Sequence, residues 1–175
     1  LMYRIDSRKV REGDWFIPLR GQHWDGHDFI PDVLKRGGRV LDGHIAEIAR
    51  WKRIHSLNQT IIGITGSSGK TTLKDLAAAV LSTRFTVHKT HENQNNEVGV
   101  PLTLLNTPSN ADIILVEMAT RKRGDIAFLS DIVRPQTVLI SNIGLSHIEF
   151  FKTQRNIALA KSEIFTFPKA LSADY

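Results

Sequence analysis

The sequence predicts an α/β protein in which a small α/β unit, residues 1–57, precedes a parallel-sheet domain, residues 58–175. Two observations indicate this fold class. A β-branched run at residues 60–64 predicts a buried strand, which passes through a glycine-serine turn directly into a helix. Strand-like and helix-like segments then alternate as far as residue 165. Repeated β-α units form parallel sheets covered on both faces, so we expect ligands at the carboxyl ends of the strands.

Composition limits the classes of function. The chain has 175 residues, and a hydrophobic content of 41% is enough for a normal core. No apolar run approaches the ~18 residues of a membrane-spanning helix, so no membrane span is expected. The first residues lack the apolar core of a signal peptide. Cysteine is absent, which fits a cytoplasmic protein.

The net charge of +5 and the pI near 9.7 raise the question of nucleic-acid binding. Basic residues cluster only at residues 50–53 and 121–123, without the interleaved aromatic residues of single-strand binders. Solvated helix faces, or attraction for a small anionic substrate, explain the charge more simply. We therefore expect no nucleic-acid partner.

Short segments make up the predicted front unit. Residues 13–19 alternate like a strand, and a polar loop follows at residues 21–30. Apolar residues at 29, 33 and 34 predict a short helix closed by two glycines at 37 and 38. Helical spacing at residues 41–57 predicts a helix that links this unit to the next one. The Asp6–Arg8 triplet and the loop around Asp25 could each be an ordinary surface turn.

The remaining elements follow in order after the strand at residue 60. Strands are predicted at residues 85–89, 111–118 and 137–143, with a helix start at 101–105 and helices at 125–132 and 154–165. In the helix after the glycine turn, one apolar face is predicted from Leu73, Leu76, Ala77, Val80 and Leu81.

The turn at residues 66–69 has the composition of a phosphate-binding loop, or P-loop. Glycines let backbone N–H groups converge, and the following helix N-terminus adds positive potential. Lys70 supplies a charge for the β- and γ-phosphates, and the Thr71 hydroxyl is placed to bind Mg²⁺. The match to the usual pattern is not literal, since Ile64 stands at the first glycine position. The alternative is a plain turn before an unrelated helix.

Three further residues could bear the chemistry. Glu117 ends an apolar strand, where a P-loop enzyme places a carboxylate against its metal ion; the alternative is a capping acid. His147 follows the fourth strand and could bind a second metal ion or phosphate, or merely pack or cap. Lys161 lies on an otherwise apolar helix. Its side chain could extend to water. Alternatively, it could be buried as a neutral amine, which can capture CO₂ as a carbamate, and a carbamate is a possible metal ligand.

Amide side chains dominate residues 90–101, between a strand and a helix. Amides both donate and accept hydrogen bonds, so this loop could bind a polar substrate near the γ-phosphate. A plain asparagine-rich turn is the alternative. His91 and Glu92 could bind metal, but no ligand spacing indicates a zinc site.

Taken in order, these motifs resemble the Mur ligase family over residues 6–167. The strongest are residues 63–72 and 90–101, followed by 116–126, 142–149 and 160–165. Residues 6–9 and 25–29 look like the family's uridine-nucleotide-binding domain. The amide-rich loop resembles the branch that adds D-alanyl-D-alanine to a UDP-N-acetylmuramoyl tripeptide (UDP-MurNAc-tripeptide).

The resemblance implies an ATP- and Mg²⁺-dependent amide ligase of peptidoglycan synthesis. ATP would phosphorylate the peptide carboxylate, and the amine of D-Ala-D-Ala would attack the acyl phosphate. Catalytic roles are implied for Lys70, Glu117, His147 and Lys161. One Mg²⁺ would bind Thr71 and Glu117, and a second His147 and carbamylated Lys161. Nucleotide contacts are implied for Thr65, Gly66, Ser67, Ser68, Gly69, Lys70, Thr71, Thr72 and Asn142. Substrate contacts are implied for Asp6, Ser7, Arg8, Asp25, Gly26, His27, Asn93, Asn95 and Asn96.

The chain departs from the family pattern in three respects. The front unit is short, and the end of the central domain and the C-terminal ligase domain have no counterpart here. Residues 150–152, Phe-Phe-Lys, replace the glycine-rich stretch expected after His147. We therefore expect ligand-binding machinery without full ligase activity. We also expect the protein to be a monomer. Two alternatives stay open: a non-catalytic nucleotide-binding remnant, and another P-loop NTPase such as a small-molecule kinase.

Overall fold

A small parallel sheet forms the front of the molecule. The computed structural model describes residues 1–166; the end of the predicted second unit and of the family resemblance, beyond residue 166, lies outside the described residues. Strands β1 (Tyr3–Arg4), β2 (Trp15–Phe16) and β3 (Arg39–Val40) pair in parallel in the order β1-β2-β3. Of these strands only β2 was predicted, as part of a longer strand. The strands β1 and β3 were missed because two residues are too few to leave an alternating pattern.

Two 3-10 helices and one α-helix accompany this sheet. The 3-10 helices span Ser7–Lys9 and Gly26–Phe29, and α1 spans Ile30–Lys35. The prediction of an entirely polar loop at residues 21–30 is therefore wrong in its second half, where the Asp25 carboxylate caps a helical turn. Gly37 follows α1 and has a φ of 76°, the left-handed conformation in which a glycine commonly ends a helix. The prediction that glycine closes this helix is therefore confirmed.

Helix α2 (Ile45–His55) connects the front sheet to the rest of the chain, as predicted. The Lys52 ammonium donates a 2.6 Å hydrogen bond to the Leu105 carbonyl and lies 5.5 Å from the centre of the Tyr3 ring. The Asn106 side chain accepts from the Tyr3 N–H and donates to the Tyr3 carbonyl, at 2.8 and 3.0 Å. These contacts hold the front unit against the second one.

The second sheet contains four strands, all parallel, as predicted. They are β4 (Thr60–Thr65), β5 (Val87–Lys89), β6 (Ile113–Glu117) and β7 (Thr137–Ile140), in the order β5-β6-β4-β7. Ile64 pairs with Glu117, and Thr65 pairs with Ile140. The carboxyl ends of the three neighbouring strands β6, β4 and β7 therefore meet at one edge.

Helices cover both faces of this sheet. They are α3 (Lys70–Leu81), α4 (Gly99–Leu105), α5 (Asp125–Val133), α6 (Ile148–Phe151) and α7 (Gln154–Ser162), and a 3-10 turn (Glu163–Thr166) follows. The four-residue helix α6 was not predicted. Within residues 1–166, no helix is both long enough and apolar enough to cross a bilayer.

The core lies in two layers, one on each face of the sheet. Ile114 and Val116 of β6 pack in the layer with α4 and α5, whereas Ile113 and Leu115 pack in the layer with α3. This alternation follows from the period of two residues in a strand.

The predicted apolar face of α3 is wrong at two positions. Leu76 and Val80 are 62% and 63% exposed, whereas Lys74 and Ala78 are buried. Both faces are compatible with helical spacing, and only the packing of α3 on β6 decides between them.

Candidate functional site

The turn between β4 and α3 has the geometry of an anion cradle. Gly66 has a φ of 150°, and a Cβ there would lie 1.9 Å from the Ser141 hydroxyl oxygen. Gly69, with a φ of 74°, ends the turn. The N–H groups of residues 69–72 have no hydrogen-bond partner among the described residues. Unpaired N–H groups at a helix start are suited to phosphate oxygens.

The Lys70 ammonium lies over this turn. It donates hydrogen bonds to the carbonyls of Gly66 and Ser67, at 2.9 and 3.4 Å. Carbonyl oxygens are weak competitors for an ammonium compared with a phosphate. The structure thus places the predicted phosphate-binding cation at the loop.

The segment after β7 holds the loop in shape. The Asn142 carbonyl accepts from the Ser67 N–H, and its side-chain oxygen accepts from the Ser68 N–H, both at 3.1 Å. The hydroxyls of Ser141 and Ser146 donate to the Ser68 and Ser67 carbonyls, at 2.6 and 3.1 Å. In this structure Asn142 thus binds the loop that surrounds the predicted nucleotide site.

Glu117 is the centre of a buried polar cluster at the adjacent strand end. It is 1% exposed. Its Oε2 accepts a 2.9 Å hydrogen bond from the Thr71 hydroxyl, and its Oε1 accepts one of 2.8 Å from the Asn95 amide. The Lys74 ammonium lies 3.7 Å from Oε2. Sequence reasoning missed Lys74, because the helical spacing of α3 does not show which of its faces is buried.

The oxygen atoms of Thr71 and Glu117 are ligands of the kind that Mg²⁺ prefers, and Mg²⁺ normally completes its shell with substrate phosphates and water. No group of three or more His, Cys, Asp or Glu side chains within residues 1–166 could hold a metal ion. This donor set therefore fits an ion that a bound polyphosphate shares, rather than a closed protein cage.

The structure does not join His147 to this cluster. His147 is exposed, its backbone is left-handed with a φ of 62°, and its ring lies 6.4 Å from that of Phe150. It immediately follows the segment that holds the loop.

Lys161, on α7, is 3% exposed, and its side-chain amine has no hydrogen-bond partner among the described residues. Burial, with a smaller contribution from the positive charge of Lys70, lowers the pKa of its amine to about 8. The structure thus places Lys161 within electrostatic reach of Lys70. The lowered pKa gives Lys161 a larger neutral fraction near neutral pH than an ordinary lysine has, which favours carbamate formation.

The amide-rich loop lies beside α3. The Asn96 side-chain oxygen accepts from the N–H groups of Val98 and Gly99, at 3.3 and 2.9 Å, so it caps α4. Asn93 is exposed, and with Lys74 it lines an open groove of about 630 Å³. Of the three predicted asparagines, Asn95 is the one whose side chain donates a hydrogen bond to Glu117.

Other predicted nucleotide contacts differ in exposure. The Thr65 hydroxyl is buried and donates to the Met118 carbonyl at 2.9 Å. Its side chain therefore stabilises the strand end. Ser68, in the turn, and Thr72, in the first turn of α3, are both exposed.

Two local clusters occupy the predicted substrate site of the front unit. The His27 ring contacts Asp25 and Asp42, the second at 3.2 Å, and hydrogen bonds to these carboxylates raise the pKa of His27. The hydrogen bonds from the backbone and the ring of His27 lower the pKa of Asp25. Gly26 is needed because a Cβ would lie 2.7 Å from the Leu19 nitrogen. Asp42 was missed, since it lies 15 residues away from His27 in the chain.

The second cluster is an Asp6–Arg8 pair with two side-chain hydrogen bonds of 2.9 Å. These bonds lower the pKa of Asp6 to about 2. Ser7, between them, is buried. No hydrogen bond or ion pair among the described residues joins this pair to the His27 cluster.

Comparison with known proteins identifies the family of this chain. A model described as the Mur ligase middle domain matches residues 64–172, and one described as the Mur ligase family catalytic domain matches residues 2–99. The UDP-N-acetylmuramoyl-tripeptide–D-alanyl-D-alanine ligase of Synechocystis is 43% identical over 91% of this chain, and that of Bacillus subtilis 36% over 91%. The chain spans 39% of the length of each relative.

Solved structures give the same result. MurF from Acinetobacter baumannii aligns with a TM-score of 0.85 and 30% identity, over 95% of this chain and 41% of that one. MurF from Thermotoga maritima, in complex with ADP, aligns with a TM-score of 0.83 and 35% identity, over 96% of this chain and 43% of that one. The phosphate loop, the parallel sheet and these matches show that the chain belongs to the Mur ligase family.

Proposed function

We propose that this chain carries the nucleotide-binding part of an ATP-dependent ligase that joins D-Ala-D-Ala to a UDP-MurNAc-tripeptide. The relatives that bear this name share 36–43% identity with the chain, which spans 39% of their length. The activity would belong to a longer protein of which such a chain would be a part. The substrates imply a reaction in the cytoplasm.

The contact between the phosphate loop and Glu117 carries this proposal. Lys70 and the unpaired N–H groups of residues 69–72 would hold the β- and γ-phosphates of ATP. Thr71 and Glu117 would hold Mg²⁺, which neutralises charge on the phosphoryl group as it is transferred. The Thermotoga MurF was solved in complex with ADP, which supports a nucleotide as a ligand of this chain.

We assign a second cation to His147 and Lys161. For that role, the neutral Lys161 amine would attack CO₂, form an N–C bond and release one proton, which leaves a carbamate anion. The lowered pKa of Lys161 supports this assignment, because only the neutral amine has the lone pair that the reaction needs.

The front unit, residues 1–57, would bind the uridine nucleotide. The His27 cluster and the Asp6–Arg8 pair are the groups proposed for it. Asn93, Asn95 and Asn96 are proposed to lie near the reacting carboxylate and the incoming dipeptide. Asn95 is the best supported of the three, since it contacts Glu117 directly.

Phosphate release from ATP tests this function. We expect release that requires both UDP-MurNAc-tripeptide and D-Ala-D-Ala in the longer protein, and binding of Mg²⁺-ADP by this chain in calorimetry. Release that ignores the dipeptide would indicate a kinase. Binding without any release from the longer protein would indicate a non-catalytic remnant, and absence of nucleotide binding would overturn the proposal.

The Lys161 assignment needs its own test in the longer protein. Lys161→Ala should remove activity, and added short carboxylates should restore part of it by replacing the carbamate. Lys152 is exposed on the loop before α7. Lys152→Ala removes the same positive charge and serves as the control. No recovery of Lys161→Ala at any carboxylate concentration would contradict the carbamate.

A further inference from the structure

Lys74 is a buried cation that the proposed reaction does not use. Its side chain is 2% exposed, and its ammonium lies 3.7 Å from Glu117 Oε2 and 3.8 Å from Asp75 Oδ1. Burial of a lysine is costly unless its charge is compensated. A buried charged residue beside a proposed metal ligand therefore calls for a function.

Lys74 acts on Glu117 through its charge. A distance of 3.7 Å exceeds the ~2.7–2.9 Å of a charge-assisted hydrogen bond, and the direct bond to Oε2 comes from the Thr71 hydroxyl, at 2.9 Å. Lys74 thus leaves the carboxylate oxygens in place for other partners while it reduces the negative potential around them.

The two carboxylates near Lys74 differ in their surroundings. Asp75 is 50% exposed and already has a 2.7 Å contact with the ammonium of Lys89. Glu117 is 1% exposed, and the neutral groups Thr71 and Asn95 are its hydrogen-bond partners. Electrostatic interactions are stronger where water is excluded, so the main effect of Lys74 is on Glu117.

We propose that Lys74 is a positioning residue that makes metal binding depend on the nucleotide. Without nucleotide, its ammonium compensates Glu117 and repels a divalent cation at Thr71 and Glu117. The phosphates of a bound nucleotide add several negative charges and outweigh this repulsion. The cation therefore enters with the nucleotide. This inference rests on the proposed function, because it assumes that Thr71 and Glu117 hold the ion.

Substitution of Lys74 by methionine tests this role, since methionine keeps much of the volume without the charge. We expect Lys74→Met to bind Mn²⁺ without nucleotide on the order of tenfold more tightly than the parent, measured by electron paramagnetic resonance. Lys74→Arg, which keeps the charge, should match the parent. Lys89→Met removes a charge from the same groove, where Lys89 is 43% exposed, and should change the affinity by less than about twofold.

Mg²⁺-ADP binding by the parent is measured in parallel. Normal nucleotide binding together with an unchanged Mn²⁺ affinity in Lys74→Met would overturn the role of Lys74 alone. Failure of the parent to bind nucleotide would overturn the proposed function instead.

Loss of Lys74 leaves a buried, uncompensated carboxylate, so the variant will be less stable than the parent. A divalent ion should replace the missing charge. We therefore expect Mg²⁺ alone to raise the Tm of Lys74→Met, or to restore its fold, and to leave the Tm of the parent unchanged. A variant that Mg²⁺ neither stabilises nor refolds would count against the proposal.

Discussion

The hydroxyl of Thr71 donates a 2.9 Å hydrogen bond to the Glu117 carboxylate, although the two residues lie 46 positions apart in the chain. This bond joins the first turn of the helix after the phosphate loop to the end of the neighbouring strand. The loop cation Lys70 and a hard-oxygen donor pair are thereby held at the same edge of the sheet. Nucleotide binding and metal binding should therefore respond to the same few residues.

Removal of the loop cation should abolish nucleotide binding. Lys70→Ala deletes the ammonium that would meet the β- and γ-phosphates, and charge-assisted bonds to phosphate are among the stronger ones in proteins. We expect no measurable Mg²⁺-ATP binding in isothermal titration calorimetry. Arg84→Ala removes an equal charge from an exposed position just after α3 and should bind like the parent. An unchanged affinity in Lys70→Ala would contradict the assigned role.

Loss of the amide beside Glu117 should lower stability. Asn95→Ala leaves Glu117 Oε1 buried without its hydrogen-bond donor, which costs about 1–3 kcal/mol in the free energy of unfolding. Asn95→Asp should cost more, because it sets a second carboxylate against the first. Urea unfolding measures both. Asn93→Ala, at an exposed position of the same loop, is the control and should unfold at the parent's midpoint.

Two glycines of the phosphate loop provide a matched pair. Gly66→Ala would place a Cβ 1.9 Å from the Ser141 hydroxyl oxygen, whereas a Cβ at Gly69 meets nothing within 4 Å. Both positions have a positive φ, so Gly69→Ala should cost about 1–2 kcal/mol from backbone strain alone. Gly66→Ala should cost a further ~1–3 kcal/mol from the clash. Equal midpoints in urea unfolding would show that Ser141 does not restrain the loop.

Stability should rise with pH where Lys161 titrates. Its pKa is about 8 in the folded chain against an ordinary value of 10.5, so between these values the unfolded chain binds more protons. The free energy of unfolding then increases with pH, and the penalty for burying the charge is complete only below pH ~8. In urea unfolding in CO₂-free buffer, the free energy of unfolding of the parent should show this rise with pH. Lys161→Met, which has no amine at this position, should not show it. Parallel pH profiles would rule out a buried amine.

The opposite trend is expected at His27. Asp25 and Asp42 raise its pKa above the ordinary 6.5, so the folded chain holds this proton more tightly than the unfolded chain does. The resulting stabilisation is complete below pH 6.5 and is lost as pH rises through the raised pKa. The difference in Tm between the parent and His27→Gln should shrink as pH rises above 6.5. A difference that does not depend on pH would show that His27 is not paired in this way.

The sequence predicted the elements whose residues identify them locally. The β-branched run of β4, the glycines of the turn and the charge of Lys70 lie within one short segment, so the phosphate loop was predictable. Glu117 was predictable because parallel strands end at a common edge.

Residues that depend on contacts through space were not predictable. Lys74 and Leu76 are both compatible with the periodicity of α3, and only the presence of Glu117 beside the helix explains why the lysine is the buried one. Asp42 reaches His27 from beyond β3. The family resemblance implies a nucleotide contact for Asn142, but not its hydrogen bond to the loop from beyond β7. These contacts join segments that lie apart in the chain, and no sequence pattern indicates that the segments meet.

Hydrogen bonds of Ser141, Asn142 and Ser146 join the phosphate loop to the neighbouring strand end. A nucleotide that binds as proposed would meet a loop held by these bonds, and little conformational entropy would be lost when the complex forms. Association should be fast and governed by diffusion and charge rather than by a slow rearrangement of the loop. Variants that loosen these three bonds should then bind with a more unfavourable entropy, while the enthalpy of the phosphate contacts is retained.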